Sequence, residues 1–221
     1  MKPKYLVSLE QVANIDAKER AELKRVTDLF AFRSNDYYLS LINWEDLKDP
    51  IRRLIIPNPG ELEPWGHLDP SSEHRYTRAP GLQHKYRETA LMLVSDACGG
   101  LCRYCFRKRL FIKDAREVNK DVSKGLDYIR DHPEINNVLL TGGDPLTLET
   151  GRLTEIIRQL RDINHIGIIR IGTKMLAYNP YRIINDPALL DMVRQYSLDD
   201  KRIYIIAQFN HPRELTEAAR Q

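Results

Sequence analysis

Cysteine is scarce in this chain, net charge is small and long apolar runs are missing, and each absence removes a class of protein. Three cysteines occur in 221 residues, and all fall between positions 98 and 105. An odd, tightly clustered set reads poorly as a disulfide framework and well as a metal site. A formal net charge of +3 is too weak to argue for nucleic acid by itself. No apolar run approaches the roughly 20 residues that a membrane span needs. The start, Met1-Lys2-Pro3-Lys4-Tyr5-Leu6, lacks the apolar core and small-residue cleavage site of a secretory signal. These absences predict a cytoplasmic protein without a membrane or nucleic-acid partner.

What is present divides into two parts. Residues 1–85 read as an N-terminal helical and wrapping region. Ala21, Val26, Leu29 and Phe30 form a partial apolar stripe between Asp16 and Arg33, and Asp16 is suited to cap that helix. The stretch from Pro57-Asn58-Pro59-Gly60 to Ala79-Pro80-Gly81 is punctuated by Pro and Gly. Its Trp, Tyr and His content predicts a segment that wraps over the main domain.

Residues 86–221 alternate short strands with helices. Strands are predicted at Ala90–Val94, Val138–Leu140, Ile166–Ile171 and Ile203–Ala207. Helices are predicted near 117–131, over Leu153–Ile163 and near 187–196. Serial β/α units imply an α/β fold with a parallel sheet. Thr216–Gln221 reads as the first turn of a further helix. A partial β/α barrel is therefore predicted, truncated after about four units. Its fourth strand is an open edge that permits homo-oligomers.

In such sheets function gathers at the carboxyl ends of the strands. Here those ends read Ser95-Asp96-Ala97-Cys98-Gly99-Gly100-Leu101-Cys102-Arg103-Tyr104-Cys105, then Thr141-Gly142-Gly143-Asp144-Pro145, Arg170-Ile171-Gly172-Thr173-Lys174 and Gln208-Phe209-Asn210-His211-Pro212. A C-x3-C-x2-C loop can wrap one [4Fe-4S] cubane through Cys98, Cys102 and Cys105. With no fourth cysteine in the chain, one iron is left for a chelating ligand such as the amino and carboxylate groups of an amino acid. The alternative is a structural zinc site completed by a histidine, within a binding module. Arg103, Arg107, Lys108 and Arg109 offset the charge of an anionic cluster or form a solvated basic face. Gly142 and Gly143 permit close approach of a ligand to the main chain, and Asp144 offers a carboxylate to an ammonium. Tyr104 can pack beside the cluster or present its backbone to an adenine. His84 and His211 read as structural or catalytic.

Taken together, these residues resemble the lysine 2,3-aminomutase family of radical S-adenosylmethionine enzymes. The resemblance runs from about Asp49 to the end of the chain. It is carried by Asp49-Pro50-Ile51-Arg52-Arg53, Pro80-Gly81-Leu82-Gln83-His84-Lys85-Tyr86, the cysteine loop with Arg107-Lys108-Arg109, Gly142-Gly143-Asp144, Arg170-Ile171-Gly172 and Phe209-Asn210-His211-Pro212. The resemblance implies a partial six-unit barrel and reductive cleavage of S-adenosylmethionine to a 5′-deoxyadenosyl radical. That radical drives a 1,2-amino shift on lysine held by pyridoxal phosphate. It implies Cys98, Cys102 and Cys105 as cluster ligands, and Gly142, Gly143, Asp144 and Gln208 at S-adenosylmethionine. Arg107 would hold the substrate carboxylate. The implied partners are an amino acid or a protein lysine side chain, and an electron donor of flavodoxin or ferredoxin type. Two positions depart from the family pattern: Gln208 stands where His is usual, and Thr89 where Arg is usual. The family's pyridoxal-bearing lysine belongs to later barrel units. A reaction that keeps the cluster and dispenses with pyridoxal phosphate is the open alternative.

Overall fold

A computed structural model of the chain describes residues 2–64, 66–112 and 115–221. Trp65, an aromatic of the wrapping stretch, lies outside them. The chain opens with a short strand, β1 (Tyr5–Leu6), which pairs antiparallel with β2 (Ser34–Asn35). Between them runs helix α1 (Ala17–Leu29), capped as expected: the Asp16 carboxylate accepts from the Glu19 backbone N–H at 2.8 Å. Its buried line is Leu23 and Val26, continued by Phe30. Ala21 and Leu29 of the expected stripe are exposed, because the spacing of three and four through positions 23, 26 and 30 turns them outward. Helices α2 (Asp36–Leu39) and α3 (Pro50–Ile55) complete this region. Leu6, Ile15, Leu23, Tyr38, Ile51 and Ile55 form its own apolar core.

The main sheet has six strands in the order β3 (Thr77–Ala79), β4 (Leu82–Tyr86), β5 (Thr89–Ser95), β6 (Asn137–Gly142), β7 (Ile168–Thr173) and β8 (Arg202–Ala207). Strands β5 to β8 are parallel, as the alternation predicts. Strands β3 and β4 are an antiparallel addition, so the sheet crosses the compositional boundary at residue 85. His84 lies on β4 rather than in a lead to the first strand. Pro80-Gly81 is the turn of this hairpin, with Gly81 at φ +72°.

Helices α4 (Ser123–Arg130), α5 (Thr150–Arg161), α6 (Met175–Tyr178), α7 (Tyr181–Ile184) and α8 (Pro187–Tyr196) separate the later strands. Helix α4 starts later than predicted. Asn119 and Asp121 accept from the backbone N–H groups of Asp121 and Ser123, the local bonding that diverts such residues from helix to turn. Burial alternates along β6 and β7. Val138, Leu140, Ile169 and Ile171 pack in one core with Leu126, Leu153, Ile157 and Leu160 of the helices. The opposite residues, Leu91, Leu139 and Arg170, line a cavity of about 440 Å³.

On β8 only Ile203 is buried, while Tyr204, Ile205 and Ile206 are 49%, 40% and 50% exposed. Such an apolar outer strand templates association. The 221-residue chain is expected to self-associate as concentration rises, and Ile206→Lys to weaken that. Sedimentation velocity checks this; a concentration-independent monomer for the unaltered chain would contradict it.

Candidate cluster site at the carboxyl ends of the strands

The cysteine loop leaves β5 and is seized at once by the end of β6. The Gly143 N–H donates to the Ser95 carbonyl at 2.6 Å, and the Asp144 N–H to the Ala97 carbonyl at 2.7 Å. This approach needs glycine. Gly142 has φ +113°, and a Cβ at Gly143 would lie 2.2 Å from the Ala97 oxygen. From the other side the N-terminal region holds the same loop. Arg33 Nε donates to the Cys98 carbonyl at 2.8 Å, the Leu101 N–H to the Arg33 carbonyl at 2.9 Å, and the Arg103 N–H to the Leu54 carbonyl at 2.9 Å.

Cys98, Cys102 and Cys105 are unpaired thiols that share one small cavity with Gly100, Lys108 and Phe111. Burial pushes the Cys98 thiol well above its usual value, assisted by Asp144 and the other two sulfurs and opposed by Arg33. Burial also raises Cys105. A metal bound by these thiols would displace their protons. Among the described residues, no three His, Cys, Asp or Glu side chains close on a single-ion site. A cubane instead spreads three thiolates over three irons, so the donor set fits a [4Fe-4S] cluster.

The remaining strand ends surround this loop. Asp144 is buried, and its carboxylate accepts from Thr173 Oγ1 at 2.8 Å, the Lys174 N–H at 2.8 Å and the Leu146 N–H at 3.0 Å. In this structure the carboxylate ties β6 to β7, and an incoming ammonium would have to share it. Tyr104 is 48% exposed, and its hydroxyl donates to Asn210 Oδ1 at 2.7 Å and accepts from Gln208 Nε2 at 2.9 Å. Lys174 is buried and donates to Asn210 and to Glu214, both at 2.7 Å. Tyr104 and Gln208 thus meet, as their placement at a common face predicts. Asn210, Lys174 and Glu214 join them without having been singled out. Only the FNHP and GTK stretches at the strand ends hinted at two of these.

His211 and His84 have structural partners. His211 Nδ1 accepts from the Arg213 N–H, and His84 bonds the Tyr128 hydroxyl and the Arg87 carbonyl.

Arg107 is buried beneath the wrapping segment. Its Nε and Nη2 reach Glu73 at 3.0 and 2.7 Å, and its Nη1 donates to Thr141 Oγ1 at 3.1 Å. It also lines the 440 Å³ cavity, together with Lys85, Thr89 and Arg170. The basic run is thus neither a solvated face nor free. Glu73 pairs with Arg107 and Arg109, and Glu61 pairs with Arg103 and Lys108.

Residues 92–213 match the Radical SAM superfamily, and this chain belongs to that superfamily. Within it the similarity is to amino-group mutases. The chain is 55% identical over its whole length to "Putative L-lysine 2,3-aminomutase" of Aquifex aeolicus, spanning 59% of that protein. It is 35% identical to glutamate 2,3-aminomutase of Clostridioides difficile, over 97% of this chain and 50% of the relative. It is 33% identical to L-lysine 2,3-aminomutase of Acetoanaerobium sticklandii, over 96% of this chain and 51% of the relative. The chain therefore spans between half and three-fifths of these relatives. Superfamily membership brings the [4Fe-4S] cluster and S-adenosylmethionine and displaces the zinc-module alternative.

Two outcomes follow from this geometry. Gly143→Ala forces the β6 end away from Ala97 and is expected to destabilise the fold by about 2 kcal/mol or more. Urea unfolding measures this, and an unchanged midpoint would contradict the packing. The second concerns acid. Burial raises the Glu73 carboxyl, but Arg107 and Arg109 outweigh it and hold it below its ordinary 4.5. Burial likewise opposes Asp69, yet hydrogen bonds from His74 and from backbone N–H groups bring it down to about 2. Depressed carboxyls stabilise the fold above their unfolded values and cease to do so as pH falls through their folded ones. The segments 57–64 and 66–79 are thus expected to lose amide protection as pH drops from about 4.5 towards 2. Hydrogen exchange, corrected for intrinsic rates, reads it; constant protection to pH 2 would count against these ion pairs.

Proposed function

We propose that this chain supplies the cluster-bearing part of a radical S-adenosylmethionine isomerase that carries out a 1,2-amino shift on lysine, a related amino acid or a protein lysine side chain. The observation that carries this reading is the convergence of three unpaired thiols with the Gly142–Asp144 turn and the Tyr104–Gln208–Asn210 group at one end of a parallel sheet. Relatives named as aminomutases along nearly the whole chain support it.

Cys98, Cys102 and Cys105 would hold a [4Fe-4S] cluster, which would supply the electron for reductive cleavage of S-adenosylmethionine. The protein's own groups do the rest. The backbone at Gly142 and Gly143, with Asp144, receives the methionyl amino group. Tyr104 and Gln208 border the nucleoside. Arg107, fixed in orientation by Glu73, faces the substrate carboxylate from the cavity wall. In the same cavity neither Lys85 nor Arg170 forms an ion pair among the described residues. Both suit the phosphate of pyridoxal phosphate, taking over from the arginine that Thr89 replaces. The partners are the amino acid substrate and a small electron-transfer protein, in the cytoplasm. No described helix is long and apolar enough to cross a membrane.

Thr89 motivates a second reading, in which the cluster chemistry proceeds without pyridoxal phosphate. A protein of the relatives' full length that shows no absorbance change with pyridoxal phosphate would favour it.

Anaerobic reconstitution with iron and sulfide tests the main reading. The expected product is brown, with about four irons per chain, and Cys98→Ala, Cys102→Ala and Cys105→Ala each lose it. A colourless protein that retains one zinc would overturn the proposal.

A further inference from the structure

Tyr178 is a residue that neither composition nor motif marked. It ends α6, is 1% exposed, and places its hydroxyl 2.9 Å from the Cys102 sulfur. Its position is fixed on every side. Asn35 Nδ2 donates to its carbonyl at 2.8 Å, and the Tyr38 ring packs edge-on with centroids 4.4 Å apart. The cysteine loop itself lies on the ring: a Cβ on Gly100 would meet a ring carbon at 2.6 Å. The Lys174 ammonium stands 5.3 Å from the ring centroid with its charge answered by Glu214.

A free thiol can either donate to a phenol or accept from it. A thiolate bound to iron can only accept. Once Cys102 holds an iron, the acceptor that the described residues offer the Tyr178 proton is that sulfur. A hydrogen bond to a cluster sulfur offsets the negative charge that reduction adds, and so makes the cluster easier to reduce. We propose that Tyr178 is a positioning residue for the redox function of this site, donating a hydrogen bond to the Cys102 sulfur and raising the reduction potential of the cluster. This rests on the cluster reading above. It adds a residue from outside the cysteine loop and outside the strand ends to the groups that set the cluster's properties.

The test uses the reconstituted chain and its Tyr178→Phe variant, titrated electrochemically and followed by electron paramagnetic resonance. The expected result is an intact four-iron cluster in both, with the variant reduced at a clearly more negative potential and with altered iron–sulfur stretching frequencies. A second arm replaces Tyr178 alone with 3-fluorotyrosine, which keeps the ring and makes the hydroxyl a stronger donor; its potential should move the opposite way. If Tyr178→Phe fails to take up the cluster, the fluorotyrosine arm decides. An intact cluster whose potential is the same in all forms overturns this inference and leaves the cluster reading standing. An unaltered chain that takes up no iron overturns both.

Discussion

The close backbone contact between the end of β6 and the start of the cysteine loop is the constraint on which the site depends. Two adjacent glycines let one strand terminus lie against the next, and two short hydrogen bonds replace the side chains that would otherwise keep them apart. Because β6 also carries the core residues Val138 and Leu140, the loop is referred directly to the most buried layer of the molecule. Asp144 extends the reference to β7 through Thr173 and Lys174. The loop that carries the three sulfurs gains much of its definition from backbone contacts with the neighbouring strand end.

Electrostatics organises the other side. The residues that follow the loop are strongly basic, and burying them unpaired would be prohibitive. The wrapping segment supplies Glu61, Asp69 and Glu73 as counter-charges. It therefore acts as the ionic complement of the loop's basic tail as well as a cover. The same pairing leaves Arg107 ordered at the cavity wall, with one edge bound to Glu73.

The parallel strands, helices α5 and α8 and the three cysteines were legible in the sequence because each rests on local pattern: apolar runs, helical spacing or ligand spacing. The hairpin of β3 and β4 was not. Its strands carry Gln83 and Lys85 in place of an apolar alternation, and Gln83 is buried by its neighbours across the sheet. The short helices α6 and α7 were also hidden, since four residues each, broken at Asn179-Pro180, give no periodicity. Among site residues, Tyr104 and Gln208 were readable from their strand ends. Glu73, Arg33 and Tyr178 were not, because each reaches the loop from a segment far away in sequence. Asp144 was legible as a strand-end carboxylate, yet the structure shows that carboxylate engaged within the protein, a fact no spacing rule contains.

The seat of the cysteine loop is built from segments on both sides of it in the chain. Arg33 and Leu54 precede the cysteines, and Gly143 and Tyr178 follow them. During synthesis from the N-terminus, the three thiols emerge with only half of their seat available, and some 75 further residues must appear before Tyr178 does. Until then the nascent loop lacks the Gly143 and Tyr178 contacts that hold it in the folded chain. The seat is complete only once the third parallel strand and the helix behind it have been made.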